Sequence, residues 1–365
     1  MEISMLSTLP PIKGLSHYTL PLVEDLSKNC KIDFYGFKSL YPEHLYPGGT
    51  KTNEEEPKFK NLKIINSLTW YNPFSWIKTG FSIKTKIIHV QWWSWVLAPI
   101  YLGVLGIAKL RKKKILMTIH NVQPHERSII KDLLNKSVLK LANEYIVHSE
   151  SNKKLLSKTT NKKITVIPHG LIRIKESKKD KKELIEKYGL TNKDKILLFF
   201  GNIRDYKGLD ILLKSINEIN DKNLKLIIAG KPWKNFEKYN LLISKLNLNK
   251  KVKLFLDFNS NEKVAELFKV SDLIVLPYKN FEASSGAGTV ALNFKKPLIV
   301  TEVGGLPELV LDKNTIAKPN NKKSLTESIL YGLSNLKKLE QDSKIKREEF
   351  SQENISKKLM EVYNQ

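Results

Sequence analysis

A single cysteine, Cys30, occurs in the 365 residues of this chain. One thiol can form no internal disulfide and cannot build a cysteine-based zinc site, which fits a reducing compartment. No stretch reaches the roughly 18 uninterrupted apolar residues of a membrane-spanning helix, so none is expected. The opening MEISMLSTLPPIKG lacks a basic region followed by an apolar one, so no signal-peptide pattern is evident and a cytoplasmic setting is expected. Low-complexity tracts and solenoid-period repeats are missing as well. Arginine is scarce: of 62 basic residues only five are Arg, at positions 111, 127, 173, 204 and 347.

What is present describes a soluble protein of two domains. Apolar residues make up 41% and charged residues 27%, proportions that support packed cores rather than disorder. The net charge is +25, which by itself suggests an anionic partner. Residues 1–170 hold 25 basic and 12 acidic residues, net +13, leaving +12 for the remainder. A charge spread over both halves and built almost wholly of lysine reads as compositional bias, so no nucleic-acid partner is expected.

One segment has two readings. Residues 92–110, WWSWVLAPIYLGVLGIAKL, are followed at once by RKKK at 111–114. Ser94, Pro99 and two glycines interrupt the run. It is either a buried helix or a stretch from Trp92 to Lys114 lying on an anionic membrane surface, with tryptophans at headgroup depth.

Short apolar runs alternate with helical patterns along the chain, the mark of α/β architecture with parallel sheets. Strands are predicted at 31–36, 62–65, 87–91, 115–120, 144–148 and 164–168, with helices over 19–29 and 128–142. The pattern restarts with strands at 195–200, 224–229, 252–255, 273–276 and 297–301. Helices are predicted there over 209–219, 235–246, 261–268, 289–294 and 323–335, and a last one over 354–363. The charged stretch RIKESKKDKK, 173–182, has no apolar period and reads as a linker. Domains are therefore expected at 1–172 and 183–350, with a terminal helix in 351–365. A ligand cleft is expected at the C-terminal ends of the strands.

The most informative motif is LFFGNIRDYKGLD, 198–210. An apolar strand feeds a loop opened by Gly201 and Asn202, two cations follow at Arg204 and Lys207, and a helix starts after Gly208. Such a strand–loop–helix unit makes an anion site, and the cations have the spacing to converge on one diphosphate. A chain that otherwise uses lysine has here an arginine, whose planar fork binds phosphate oxygens in pairs. A solvated charged turn is the plainer alternative.

Other motifs lie at predicted loop positions. PPIKGLSH brings Gly14, Ser16 and His17 to the start of a helix. TIHNVQPHE ends a strand at His120 and Asn121. His120, His125 and Glu126 are the residue types of a metal site, but a proline turn separates them, and a hydrogen bond from His120 to a sugar hydroxyl is the expected role. His169 in VIPHGL reads as structural. In PYKNFEASSGAG the loop carries Glu282, then Ser284, Ser285, Gly286 and Gly288, small residues that leave backbone N–H groups open. The loop 303–305 and Glu308 of TEVGGLPE approach the same region.

These motifs, from Gly14-Leu15-Ser16-His17 through HNVQPHE, VIPHG, GNIRDYKG and EASSGAG to TEVGGLPE, occur in the order and approximate spacing of retaining glycosyltransferases of family 4. The chain resembles that family over essentially its whole length. The resemblance implies a GT-B fold: two Rossmann-like domains facing across a cleft, with the last helix crossing back to the first. It implies transfer of a sugar from a nucleotide diphosphate to a hydroxyl of a glycan or lipid-linked saccharide, without metal or other cofactor. Arg204 and Lys207 would hold the diphosphate, His120 would approach the donor sugar, and Glu282 would contact sugar hydroxyls. Gly14, Gly201, Asn202, Ser284, Ser285, Gly286, Gly305 and Glu308 would line the donor, and Ser16, His17 and Asn121 the acceptor side. The family's second glutamate, which grips the ribose, falls on Val290; Glu308 is the candidate replacement. With no second carboxylate, a front-face route is implied in which the leaving phosphate takes the acceptor proton. The alternative is a catalytically silent scaffold of the same fold.

Overall fold

Where apolar runs of four to nine residues meet amphipathic helices, only a parallel sheet covered on both faces buries them all. A computed structural model describes residues 1–41, 49–122, 128–257, 260–281 and 284–365. They form two units, Met1–Gly170 with Gln352–Gln365, and Leu171–Ser351.

The first unit contains β1 (Glu2–Leu6), α1 (Ser16–Leu26), β2 (Lys31–Ser39), β3 (Leu62–Thr69), α2 (Pro73–Ser82), β4 (Ile87–Trp92), α3 (Ala98–Leu110), β5 (Lys114–Ile119), α4 (Ile129–Leu141), β6 (Glu144–Val147), α5 (Glu150–Ser157) and β7 (Ile164–Val166). Its parallel sheet runs β3-β2-β1-β4-β5-β6-β7. The C-terminal helix, Gln352–Tyr363, belongs to this unit: Ile355, Leu359 and Val362 share a core with Leu22, Val23 and Leu26 of α1. Gly170 lies against it, since a β-carbon there would stand 2.1 Å from Gln352 Nε2.

The second unit contains α6 (Lys181–Lys187), β8 (Lys195–Phe200), α7 (Leu209–Glu218), β9 (Leu224–Ala229), α8 (Glu237–Lys245), β10 (Val252–Phe255), α9 (Asn261–Val270), β11 (Leu273–Leu276), α10 (Gly286–Asn293), β12 (Leu298–Thr301), β13 (Ile316–Ala317), α11 (Lys322–Ser334) and α12 (Leu336–Glu349). The order is β10-β9-β8-β11-β12-β13, again parallel. In both sheets the first strand has neighbours on either side, so strand order reverses beside β1 and beside β8. Loops leaving those strands open a crevice at their C-terminal ends, where α/β proteins bind ligands.

Two expectations need correction. The stretch 173–182 is no free linker: Leu171, Ile172 and Ile174 pack on the second core, Asn293 donates to the Ile174 carbonyl at 2.9 Å, and Lys179 pairs with buried Glu266 at 2.7 Å. Its single apolar residue, Ile174, could not register as a period. The segment from Trp92 is not one element either. Trp92 ends β4, buried, its indole donating to Asn135 Oδ1 at 2.7 Å, and the helix starts only at Ala98. Ser94 and Pro99 stand at this break, and Pro99 sits in the first turn where its missing N–H costs nothing. Among the described residues no helix is long and apolar enough to cross a membrane.

Candidate active site

The loop after β8 is built around glycines that nothing larger can replace. Gly201 has φ +101° and Gly208 φ +70°, backbone that side-chain-bearing residues rarely adopt. A β-carbon at Gly208 would lie 1.9 Å from the Pro277 carbonyl, and one at Gly230, at the end of β9, 2.2 Å from the Gly201 carbonyl. Three loops therefore pass at backbone contact. Gly208 caps α7, and Lys207 precedes it in a short 3-10 turn that turns the side chain inward.

Lys207 is buried, its ammonium 5.4 Å from the centre of the Tyr278 ring. Burial first, and the Arg204 guanidinium second, lower its pKa to about 8. Arg204 lies flat over Trp233 at 3.9 Å from the ring centre, a cation–π contact that holds the fork in place. Among the described residues no salt bridge engages either cation. Two positive charges beside each other without a carboxylate partner form a site prepared for an anion.

The loop after β11 supplies the other wall. Lys279 N–H donates to the Tyr206 carbonyl at 2.7 Å, and Tyr206 stacks on Phe281. A β-carbon on Gly201 would lie 3.9 Å from that of Ala287, which puts the first turn of α10 beside the same loop. Ser285 is the N-cap of α10: its hydroxyl accepts from Gly288 N–H at 3.2 Å and meets Tyr278 Oη at 3.2 Å. Its oxygen thus serves the helix. Ser284 is half-buried and Gly286 exposed next to it; Asn202 is exposed on the facing loop. α10 begins at 286 rather than 289, because Ser285 caps it. Val290 points into the second core, so its position is apolar by burial. Gly305 has ordinary backbone, the left-handed residue being Gly304 at φ +53°. Glu308 belongs to a 3-10 turn whose Leu309 fills the space over Gly288, 2.3 Å from where a β-carbon would be. Glu282 lies outside the described residues, as do His125 and Glu126.

In the first unit, His120 is joined by partners the sequence reading missed. Apolar runs ending in histidine recur as MTIH, YIVH and VIPH, and β5, β6 and β7 are sheet neighbours, so His120, His148 and His169 meet at one sheet end. The three rings surround Tyr18, with centroids 4.7, 5.4 and 4.7 Å from its own. That repeat was the legible signal. A hydrogen-bonded chain runs through the group. Tyr363 Oη lies 2.6 Å from His89 Nδ1, the Gln91 amide lies 3.2 Å from His89 Nε2 and 2.9 Å from His120 Nε2, His120 Nδ1 lies 3.3 Å from His148 Nε2, and His148 Nδ1 lies 2.9 Å from the Ile167 carbonyl.

The carbonyl at the end can only accept, which fixes the protons of neutral His148 and His120. His148 donates from Nδ1, so its Nε2 accepts from His120 Nδ1–H. His120 Nε2 then accepts, which requires the Gln91 amide turned so that its NH2 group, rather than the Oε1 that stands 2.9 Å away, meets it. Turned so, the amide oxygen faces His89 Nε2, whose shorter contact is the Thr118 hydroxyl at 2.7 Å, and the Tyr363 hydroxyl faces His89 Nδ1. All rings are neutral in this pattern. Burial agrees: it lowers His89 to about 3 and His148 to about 4, and depresses His120 well below the usual range with help from its histidine neighbours. Among the described residues no group of three His, Cys, Asp or Glu could hold a metal ion.

The loop after β1 completes the list. Gly14 has φ +88°, and Thr8 Oγ1 accepts from Leu15 N–H at 2.9 Å, fastening the loop. Ser16 is buried while His17 is exposed, so only the second presents its side chain outward. No side chain caps α1. Asn121 donates to the Trp93 carbonyl at 3.0 Å.

Residues 180–349, nearly all of the second unit, match the family described as Glycosyl transferases group 1. The second unit resembles that family over this range. The matched range contains every described candidate donor residue from Gly201 to Glu308. An uncharacterised glycosyltransferase of Methanocaldococcus jannaschii is 28% identical over 87% of this chain and 88% of that protein. A lipopolysaccharide 1,2-N-acetylglucosaminetransferase of Salmonella typhimurium is 22% identical over 54% of this chain and 55% of its own length. Among solved structures, Anabaena HepE in complex with UDP superposes with a TM-score of 0.73 at 14% identity, covering 100% of both chains. Sucrose-phosphate synthase from Thermosynechococcus elongatus gives 0.70 at 17% identity, covering 100% of this chain and 98% of that one. The fold is GT-B, and with the group 1 domain it supports a glycosyltransferase.

Proposed function

We propose that the protein is a retaining, metal-independent glycosyltransferase that moves a sugar from a nucleotide diphosphate to a hydroxyl of a glycan or lipid-linked saccharide. The observation that carries this reading is the buried Lys207 ammonium, in no salt bridge among the described residues, lying over Gly201 beside Arg204 and the first turn of α10. Two cations and a helix N-terminus neutralise a departing diphosphate, the largest charge that develops in such a transfer. The departing phosphate oxygen takes the acceptor proton, so no carboxylate nucleophile is needed. UDP bound to the structural neighbour HepE supports a nucleotide donor. His120, kept neutral, is suited to hydrogen-bond a sugar hydroxyl rather than to transfer a proton near pH 7. Surface polysaccharide or glycolipid synthesis in the cytoplasm is the setting this reading favours.

Nucleotide release from a panel of UDP-, GDP-, ADP- and TDP-sugars tests it, with Arg204→Ala as control. Release from one donor, lost in the variant, is expected. A second reading, a silent scaffold, draws on Val290 standing where the resemblance implies a ribose-binding carboxylate. Absence of thermal stabilisation by any of the four nucleotides would favour it.

A further inference from the structure

Helix α2 is folded inside out. Its only buried residues are Thr79 and Gly80. The polar side turns inward: Thr79 Oγ1 lies 2.8 Å from Ser67 Oγ of β3 and donates to the Ser75 carbonyl at 2.7 Å. Phe74, Ile77 and Phe81, at i, i+3 and i+7, form one outward stripe, with Phe74 82% and Phe81 59% exposed. Water is a poor solvent for such a face, and no part of the described first unit covers it.

The stripe continues onto the neighbouring helices. α3 packs between α2 and α4. A β-carbon on Gly80 would lie 2.8 Å from Ile107 Cβ, and one on Gly103 3.0 Å from Trp76 Cβ, so glycines let the first pair of helices close. Beside that crossing a shallow groove of about 620 Å³ is lined by Ile77, Leu102, Ile107, Leu110 and Leu141. Leu110 is almost fully exposed, and so are Ile129 (88%) and Ile130 at the start of α4. An apolar surface of this kind marks an interaction site.

Charge identifies what it meets. Residues 1–69 hold eight basic and eight acidic residues, net zero, whereas residues 70–140 hold twelve basic and two acidic, net +10. Ten of the thirteen net charges on residues 1–170 therefore lie in the stretch that runs from α2 through β4, α3 and β5 to α4, Lys78, Lys109, Lys131, Lys136 and Lys140 being on the helices themselves. Arg111 caps the end of α2 through the Gly80, Phe81 and Ile83 carbonyls, next to exposed Lys112. Lys78 is exposed within the α2 stripe, and Lys136 and Lys140 on α4. Apolar side chains interspersed with cations match a surface that offers acyl chains below a layer of negative headgroups.

We infer that the α2–α3–α4 face docks on an anionic bilayer surface, with Phe74, Ile77, Phe81 and Leu110 entering it and the lysines against its headgroups. The contact is on the outer helical layer, not on the buried Trp92. This deepens the proposed function, from which it takes only a lipid-linked acceptor; vesicle binding needs no donor.

The test is co-sedimentation of the full chain with phosphatidylcholine vesicles, with and without phosphatidylglycerol, at low and high salt. Binding is expected only with phosphatidylglycerol and is expected to fall at high salt. Phe74→Ser with Phe81→Ser removes exposed side chains, so the fold stands, and binding should drop at least about tenfold. Lys78→Glu with Lys112→Glu should also weaken it and reduce its salt dependence. Equal binding to both vesicles, or unchanged binding by both variants, overturns the inference. So does light scattering that finds a dimer abolished by the phenylalanine changes, which would make the face a contact between copies. UDP-induced thermal stabilisation, measured on the same samples without lipid, reports separately on the donor site.

Discussion

The ammonium of Lys207 rests directly over Gly201, where a β-carbon would stand only 2.8 Å from Nζ. Gly201→Ala would push that cation aside and strain a backbone at φ +101°, a conformation costing on the order of 1–3 kcal/mol without glycine. UDP affinity by calorimetry should fall about tenfold or more, and unchanged affinity would separate the glycine from the anion site.

Lys207 also makes anion binding depend on pH. With a pKa of about 8 it is charged below that value and loses its charge above it. A bound anion favours the charged form, so affinity should hold from pH 6 to 8 and then fall, by up to about tenfold per pH unit. Lys207→Ala should abolish this dependence and lower kcat/KM by about 10²–10³-fold, as loss of one transition-state donor does. A flat profile in the parent protein would argue against the role.

Trp233 is predicted to act through Arg204. Removing the indole from under the guanidinium, as in Trp233→Ala, should weaken donor binding by about 0.5–2 kcal/mol while leaving the melting temperature nearly unchanged. Trp233 is exposed, so lost core packing offers no alternative explanation.

The buried histidines give the first unit an acid limit. His89 and His148 fold with pKa values of about 3 and about 4, below the ~6.5 of an unfolded chain. The unfolded state therefore binds protons first as pH falls. Their contribution is fully present above about pH 6.5 and is lost on descent towards pH 4. From pH 7 to 5 the two should together cost roughly 3–4 kcal/mol, visible as a lower urea midpoint. His89→Gln should remove part of that slope.

Proton positions along the chain can be read directly. Nitrogen NMR of the rings should find His120 neutral with its proton on Nδ1. Tyr363→Phe removes the hydroxyl facing His89 Nδ1 and should cost about 1–3 kcal/mol. A His120 proton on Nε2 would refute the assigned direction.

Much of the fold was legible because strands buried on both faces are written as unbroken apolar runs. Strands 195–200, 224–229, 252–255 and 273–276 were predicted to the residue. The glycines of 201–208 were legible too, since a positive φ demands glycine. Other elements gave no periodic signal. α2 was missed because its polar residues face inward, and β13 because two residues carry no pattern. α12 was missed because only Leu339 and Ser343 of its fourteen residues are buried.

By itself, then, the sequence determined the α/β class, most strand positions and the glycine loop after β8, all of which follow from local rules of burial and backbone conformation. Only the tertiary structure decided which histidines meet and that Trp92 is buried while Phe74 is exposed. Each depends on which strands become neighbours, and pairing between distant segments is set by the summed burial of the whole core rather than by any stretch within it.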